Sequence, residues 1–402
     1  MQYKSLGLLA LAAVLTLVTA QSPAATPIGV LPSYIPVSTK PISAPIFQDG
    51  PVDPAVSCSA LLAAVAGAAP GSLTSLTTAA PVIMSSKRYG PGTTAPTDRT
   101  VYVGASLASA SPPAKLGVVL YWHSTGNTPA EIQPSAFAGA LKDTIVIAPR
   151  SALAPLQFEW HLVLGTAMHD VWLADDLVAC LAQSPRVDTA RIFTAGFSAG
   201  AIHSTYLSLF RPHYLAGAVI WSGGMLRSPL LSQNATVAAT VGAAAQSSGT
   251  AAALAAYGSI PASRAVIPTI VTSGGPKDNV VVAFTTTTIL GLDVAWTQAA
   301  IGTAASGSTS ASPVLPAVWC THTLGHRMVL GAEVMVPFLT KLSFTDNNVA
   351  PVVAGTPADG YACQVVTASL VGFESAAVVK AAGAALLAQG KSSSSSSGTG
   401  ST

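Results

Sequence analysis

Three side chains far apart in the chain have the types and local settings that covalent catalysis demands: Ser198 in "GFSAG", Asp278 in "GGPKDNV" and His326 in "THTLGH". A serine hydroxyl is a weak nucleophile until a base takes its proton, and an imidazole does this best when a carboxylate fixes its orientation. The pattern Gly196-Phe197-Ser198-Ala199-Gly200 follows directly on the β-rich run "RIFTA" (191–195) and opens a helix-like stretch, 199–210. In that setting the serine occupies a tight strand-to-helix turn. Only small neighbours avoid collision there, and the helix N-terminus lies beside the reacting oxygen. A chance match in a loop would lack both flanks.

Asp278 falls on the loop after "IPTIVTS" (267–273), and His326, preceded by Gly325, on the loop after "LPAVWC" (315–320). The chain order serine, acid, histidine, with each on a loop after a later strand, suits a triad. Two rivals stay open. Asp293, in "LGLDVAW", competes as the acid from inside an expected helix, and His322 competes as the base, its other role being a histidine packed under the loop. "HTLGH" lacks the adjacent glutamate of a two-histidine zinc motif, so neither metal nor organic cofactor is expected.

His123 ends the run "GVVLYW" (117–122) and begins "HSTGN", where a second oxyanion donor belongs. Its expected job is to fix that loop so that the N–H of Ser124 or Thr125 points beside the N–H of Ala199. Asp175 and Asp176 are expected at the surface of the preceding helix, capping it or pairing there with Arg191. Trp160, in "FEWH", is either an aromatic wall of the substrate cleft or an ordinary packed tryptophan. His161, His169, His203 and His213 are expected to be structural or at the surface.

These residues need a scaffold, and the sequence supplies an alternation of short β-rich runs with helix-like ones. The runs are 100–104, 117–122, 144–148, 191–195, 217–222, 267–273 and 315–320; most are apolar throughout rather than alternating. Strands of that kind are covered by helices on both faces, which implies an α/β fold with a mainly parallel sheet. Helical patterns are expected at 171–183, 199–210 and 327–342, with a short helix at 58–69. Leu226 to Ser263, rich in Ala, Ser and Thr, reads as an insertion capping the site, and Trp296 to Pro313 as a surface loop.

Around this 95–345 unit, residues 21–94 read as an arm, proline recurring every few residues as far as Pro54; 346–390 read as a C-terminal extension and 391–402 as a disordered Ser-rich tail. The first 20 residues, with Lys4, an apolar stretch from Leu6 to Val18 and small residues up to Ala20, read as an export signal. The mature chain is then expected in an oxidising compartment and off the membrane. Cys58, Cys180, Cys320 and Cys363 would form two disulfides, with Cys320 to Cys363 preferred, and Asn234 opens a glycosylation sequon. A net charge of +2, from scattered Lys and Arg, excludes the concentrated basic face that nucleic acid requires. Oligomeric state is not legible.

With these residues in hand, the chain resembles the secreted α/β-hydrolase esterases grouped with polyhydroxybutyrate depolymerases, feruloyl esterases and acetyl xylan esterases. The likeness covers roughly 95–345 and rests on "VVLYWHSTG", "DDLVACLAQSPRVDTARIFTAGFSAGA", "GGPKDNVV" and "LGH". It implies Ser198, Asp278 and His326 as the triad, a carboxylic ester as substrate, small or polymeric, and an acyl-serine intermediate. Where the family carries a glycine after the strand-ending histidine, this chain carries Ser124. The alternatives are a serine peptidase of the same fold and a non-catalytic surface protein that kept it.

Overall fold

In a computed structural model, all seven apolar runs form strands. They are β2 (Thr97–Ser106), β3 (Leu116–Trp122), β4 (Thr144–Pro149), β5 (Val187–Phe197), β6 (Gly217–Trp221), β7 (Thr269–Ser273) and β8 (Ala317–His322). Two more, β1 (Val82–Ser86) and β9 (Tyr361–Val365), complete one nine-stranded sheet in the order β1-β2-β4-β3-β5-β6-β7-β8-β9. The six strands from β4 to β8 run parallel. β1, β2 and β9 attach antiparallel at the two sides. The sheet therefore takes in strands on both sides of the 95–345 span. The structure describes residues 56–77, 79–89, 95–107, 113–133, 135–152, 160, 169–212, 214–224, 267–278, 284, 288, 291, 292, 295, 317–329, 336, 338, 339 and 361–365. The expected export signal, the 226–263 insertion, the 296–313 loop, the 391–402 tail, Asn234, Asp293, His161 and His213 lie outside them.

Every position of β3, β4 and β6 is buried, as continuous apolar strands require. Alternate side chains feed two cores, one on each face: Val118, Leu120 and Ile147 on one, Val119, Tyr121 and Val146 on the other. Four helices are described: α1 (Ser59–Gly67), α2 (Ala136–Ala140), α3 (His169–Leu181) and α4 (Ala199–Phe210). Where a helix was expected over 327–342, residues 327–329 are non-helical and helical geometry is found at 336, 338 and 339.

Asp175 and Asp176 are not at the surface; both are fully buried, and neither partner is Arg191. Asp175 takes a two-pronged pair from Arg211 (Nε 2.8 Å, Nη2 2.9 Å) and a hydrogen bond from the Tyr214 hydroxyl at 3.0 Å. Asp176 accepts from the Tyr89 hydroxyl at 2.8 Å and faces Arg88 at 3.6 Å. Arg191 instead donates to the Leu339 carbonyl at 3.0 Å. A third acid of α3, Asp170, pairs with Arg99 on β2 at 2.6 Å. An isolated carboxylate would be costly here, and the pairing lets α3 bury every residue except Trp172.

Both expected disulfides are present: Cys58–Cys180 ties the start of α1 to the end of α3, and Cys320–Cys363 joins directly opposed residues of β8 and β9. Arg186 fastens the other end of α1, donating to the carbonyls of Val65 (2.8 Å) and Ala66 (2.7 Å) in the last helical turn. Among the described residues no helix is long and apolar enough to cross a membrane.

Candidate active site

Ser198 sits at the junction of β5 and α4 with φ 55° and ψ −119°, a conformation a serine rarely adopts. The surroundings hold it there. Its N–H donates to the Trp221 carbonyl on β6 at 3.0 Å, and its carbonyl accepts from Ile202 at 2.9 Å, starting α4. The two glycines of the pattern have separate reasons. A Cβ on Gly196 would run into the backbone of Gly200, closing the turn; a Cβ on Gly200 would run into the carbonyl of Trp122, where the loop leaving β3 crosses the helix start. The sequence GFSAG thus folds as a turn pressed between two strands, with the first N–H groups of α4 left without intrahelical acceptors.

Asp278 follows a 3-10 turn, Gly275–Lys277, beyond β7 and is 1% exposed. Its Oδ2 accepts from the Ser222 hydroxyl and from the Gly274 N–H, each at 2.8 Å. Its Oδ1 meets Nδ1 of His326 at 2.7 Å. A carboxylate only accepts, so Nδ1 carries the proton and Nε2 of the neutral ring keeps its lone pair. The imidazole lies between Phe284, stacked at 4.4 Å, and Phe197 at 4.7 Å, the residue that directly precedes Ser198. Two glycines let the acid and histidine loops touch: a Cβ on Gly274 would collide with the backbone of Gly325, itself at φ 75°.

His322 does not meet Asp278. It is buried at the end of β8, where its Nδ1 accepts from the Leu324 N–H at 3.3 Å and braces the loop. Burial lowers its pKa, and the Asp278 charge only partly opposes that.

On the loop leaving β3, the His123 ring is held at both nitrogens. Its Nε2 accepts from the Ser151 N–H at 3.1 Å, which leaves Nδ1–H to donate to the Ser124 carbonyl at 2.9 Å. Burial lowers its pKa from 6.5 to about 4, keeping the ring neutral. The expectation for Ser124 needs correction: its N–H donates to Glu131 Oε2 at 2.9 Å and is spoken for. Thr125, next in the loop, is exposed. Trp160 is an ordinary packed tryptophan, fully buried, perpendicular to Trp122, with its Nε1–H on the His123 carbonyl at 3.0 Å.

The topology, the strained serine between β5 and α4, and the acid and histidine beyond β7 and β8 are now all in view. The fold is that of an α/β hydrolase. Residues 172–253 match the model of the phospholipase/carboxylesterase family, a span that includes most of α3, all of β5, Ser198 and α4. No curated protein sequence matches. Among solved structures, this chain is similar to native pOPH, at 19% identity over 67% of this chain and 92% of that one, TM-score 0.44. It is also similar to an acetyl xylan esterase from Aspergillus awamori (14%, 64% and 98%, TM-score 0.39). A third is an S-formylglutathione hydrolase from Agrobacterium tumefaciens (12%, 64% and 92%, TM-score 0.37).

Four residues at the site were not singled out from the sequence: Ser222, Phe197, Phe284 and Glu131. Glu131 left a trace as the only acidic residue between Asp98 and Asp143, and Phe197 lies within the GFSAG pattern itself. Ser222 and Phe284 have unremarkable neighbours in sequence, and only folding brings them to the site.

Proposed function

We propose that this chain is an exported serine hydrolase of carboxylic esters, with Ser198 as nucleophile, His326 as base and Asp278 as the orienting acid. The observation that carries the reading is the 2.7 Å pair between His326 Nδ1 and Asp278 Oδ1, with the same imidazole packed on Phe197, next to Ser198. Ser198 Oγ attacks the ester carbonyl while His326 Nε2 takes its proton. The tetrahedral oxyanion is held by the N–H groups of Ala199 and Thr125, the latter replacing the engaged Ser124 N–H. His326 then protonates the leaving alcohol, and water repeats the sequence to release the acid.

Export is supported by the apolar, small-residue N-terminus and by two disulfides, which persist in oxidising compartments. The resemblance in sequence points to feruloyl, acetyl-xylan or hydroxyalkanoate esters as the substrate class, with a glycan at Asn234 compatible with export.

Steady-state hydrolysis of p-nitrophenyl acetate, set beside a peptide p-nitroanilide, tests the reading. Ester turnover that vanishes in Ser198→Ala and His326→Ala but persists in His322→Ala is the expected result. Turnover of the anilide in preference to the ester would make it a peptidase, and turnover that survives Ser198→Ala would refute the triad. A panel of feruloyl, acetyl-xylan and hydroxyalkanoate esters then ranks the substrate classes.

A further inference from the structure

The loop that leaves β3 carries the proposed second oxyanion donor, yet Thr125 to Thr128 are all exposed. One side chain fastens it. Glu131 stands in the 3-10 turn Pro129–Ile132, whose start is capped by the Thr128 hydroxyl accepting from Ala130 N–H. Its Oε2 accepts from the Ser124 N–H at 2.9 Å and from the Tyr121 hydroxyl at 2.8 Å. Its Oε1 accepts from the Ser124 hydroxyl and from Asn127 Nδ2 at 2.7 Å. Asn127 Nδ2 reaches the Ser124 oxygen as well, at 2.8 Å. Every partner is a donor, and only an ionised carboxylate can accept from all of them. Burial raises the pKa of Glu131, and the hydrogen bonds from Ser124, Tyr121 and Asn127 pull it back.

We propose that Glu131 is a positioning residue for the oxyanion site: by holding both the N–H and the hydroxyl of Ser124, it fixes the peptide that presents the Thr125 N–H beside that of Ala199. The inference rests on the esterase reading above. The neighbouring contacts supply the logic. Upstream of Ser124 the loop is already fixed, because Trp122 and His123 pack on Gly200 and the His123 ring is pinned between Ser124 and Ser151. Downstream of it the backbone turns through Gly126 at φ 77° and is held by Asn127 N–H on the Ser124 carbonyl at 3.2 Å. Ser124 is the hinge between these parts, and Glu131 holds it by both its N–H and its hydroxyl. A glutamine at 131 fills the same space but turns an NH2 toward the NH2 of Asn127. That mismatch is repaired by an aspartate at 127, which reverses both bonds that the Asn127 NH2 makes: it accepts from the glutamine NH2 and from the Ser124 hydroxyl, whose oxygen accepts from the glutamine in turn.

The test compares wild type, Glu131→Gln and the double variant Asn127→Asp/Glu131→Gln in the full chain. It reads kcat and KM on p-nitrophenyl acetate and inhibition by an alkyl trifluoromethyl ketone, which forms a tetrahedral adduct. Glu131→Gln should lower kcat by about ten- to a hundredfold with KM nearly unchanged, and weaken the ketone in parallel, as loss of oxyanion alignment does. The double variant should regain most of both. A kcat in Glu131→Gln within about twofold of wild type, or no recovery in the double variant, overturns the proposal. Should Glu131→Gln fail to fold, Ser124→Ala, which deletes only the hydroxyl arm, is read by the same kcat and ketone criteria. A wild-type chain without Ser198-dependent hydrolysis would defeat the esterase reading instead. Amide hydrogen exchange over 123–131 then decides on Glu131 by itself: faster exchange confined to that segment in Glu131→Gln supports it, and unchanged exchange overturns it.

Discussion

Asp278 places its two oxygens against three donors, one of which, Ser222, comes from a neighbouring strand end. A hydrogen bond to a charged group contributes about 1.5–3 kcal/mol, and Gly274 N–H remains when the hydroxyl is deleted. Ser222→Ala should therefore lower kcat by about tenfold with little change in KM, whereas Asp278→Asn should cost about ten-thousandfold by presenting the wrong hydrogen-bond partner to Nδ1. Steady-state kinetics on one ester reads both. His123 makes a separate prediction in pH. Its pKa is about 4 folded against 6.5 unfolded, so the unfolded chain takes up the proton first. The stability that the neutral ring contributes is intact above pH 6.5 and is lost as pH falls toward 4, up to roughly 3 kcal/mol. Urea midpoints between pH 7.5 and 4 should fall more steeply for wild type than for His123→Gln. Parallel slopes would remove His123 from the acid sensitivity.

At the scale of elements, the approach of Gly274 to Gly325 is what lets the loops after β7 and β8 meet. Gly274→Ala should leave the sheet folded, since it lies beyond the last paired residue of β7, while separating His326 from Asp278. Activity should drop at least a hundredfold with unchanged far-ultraviolet circular dichroism; near-wild-type kcat would show that the loops have slack. Asp175→Ala should do the opposite. Arg211 and Tyr214 would each lose the buried carboxylate they share, at a cost of about 3–5 kcal/mol to stability. The strands were legible because continuous apolar runs such as "GVVLYW" leave few alternatives, and the elbow because Gly196 and Gly200 are needed for close approach. The burial of Asp175 and Asp176 was not legible. Their partners lie 36 to 88 residues away in sequence, so nothing local distinguishes them from surface acids. Ser124 misled although its partner is close in sequence: its N–H is taken by a side chain seven residues on, which the turn at Pro129–Ile132 brings back to it.

For the whole molecule, the sheet extends beyond the region its motifs mark. β1 lies past the end of the proline-rich run, inside the span 21–94 that reads as an arm, while β9, "YACQV", is short and weakly apolar; both become strands by pairing with β2 and β8. The disulfides secure these outlying pieces. Cys58–Cys180 spans 122 residues and Cys320–Cys363 spans 43, so chain-entropy estimates give about 5 and about 4 kcal/mol respectively. Replacing Cys58 and Cys180 together by serine should lower the unfolding free energy by a few kcal/mol while leaving the Asp278–His326 pair and kcat near wild type at 25 °C. Loss of activity in a still-folded variant would instead couple α1 to the site. The most direct measurement is peptide mapping by mass spectrometry after reaction with a fluorophosphonate. A single adduct on Ser198, formed by wild type and suppressed in His326→Ala, is the predicted result. A chain that reacts at another residue, or reacts equally well without His326, would contradict the triad.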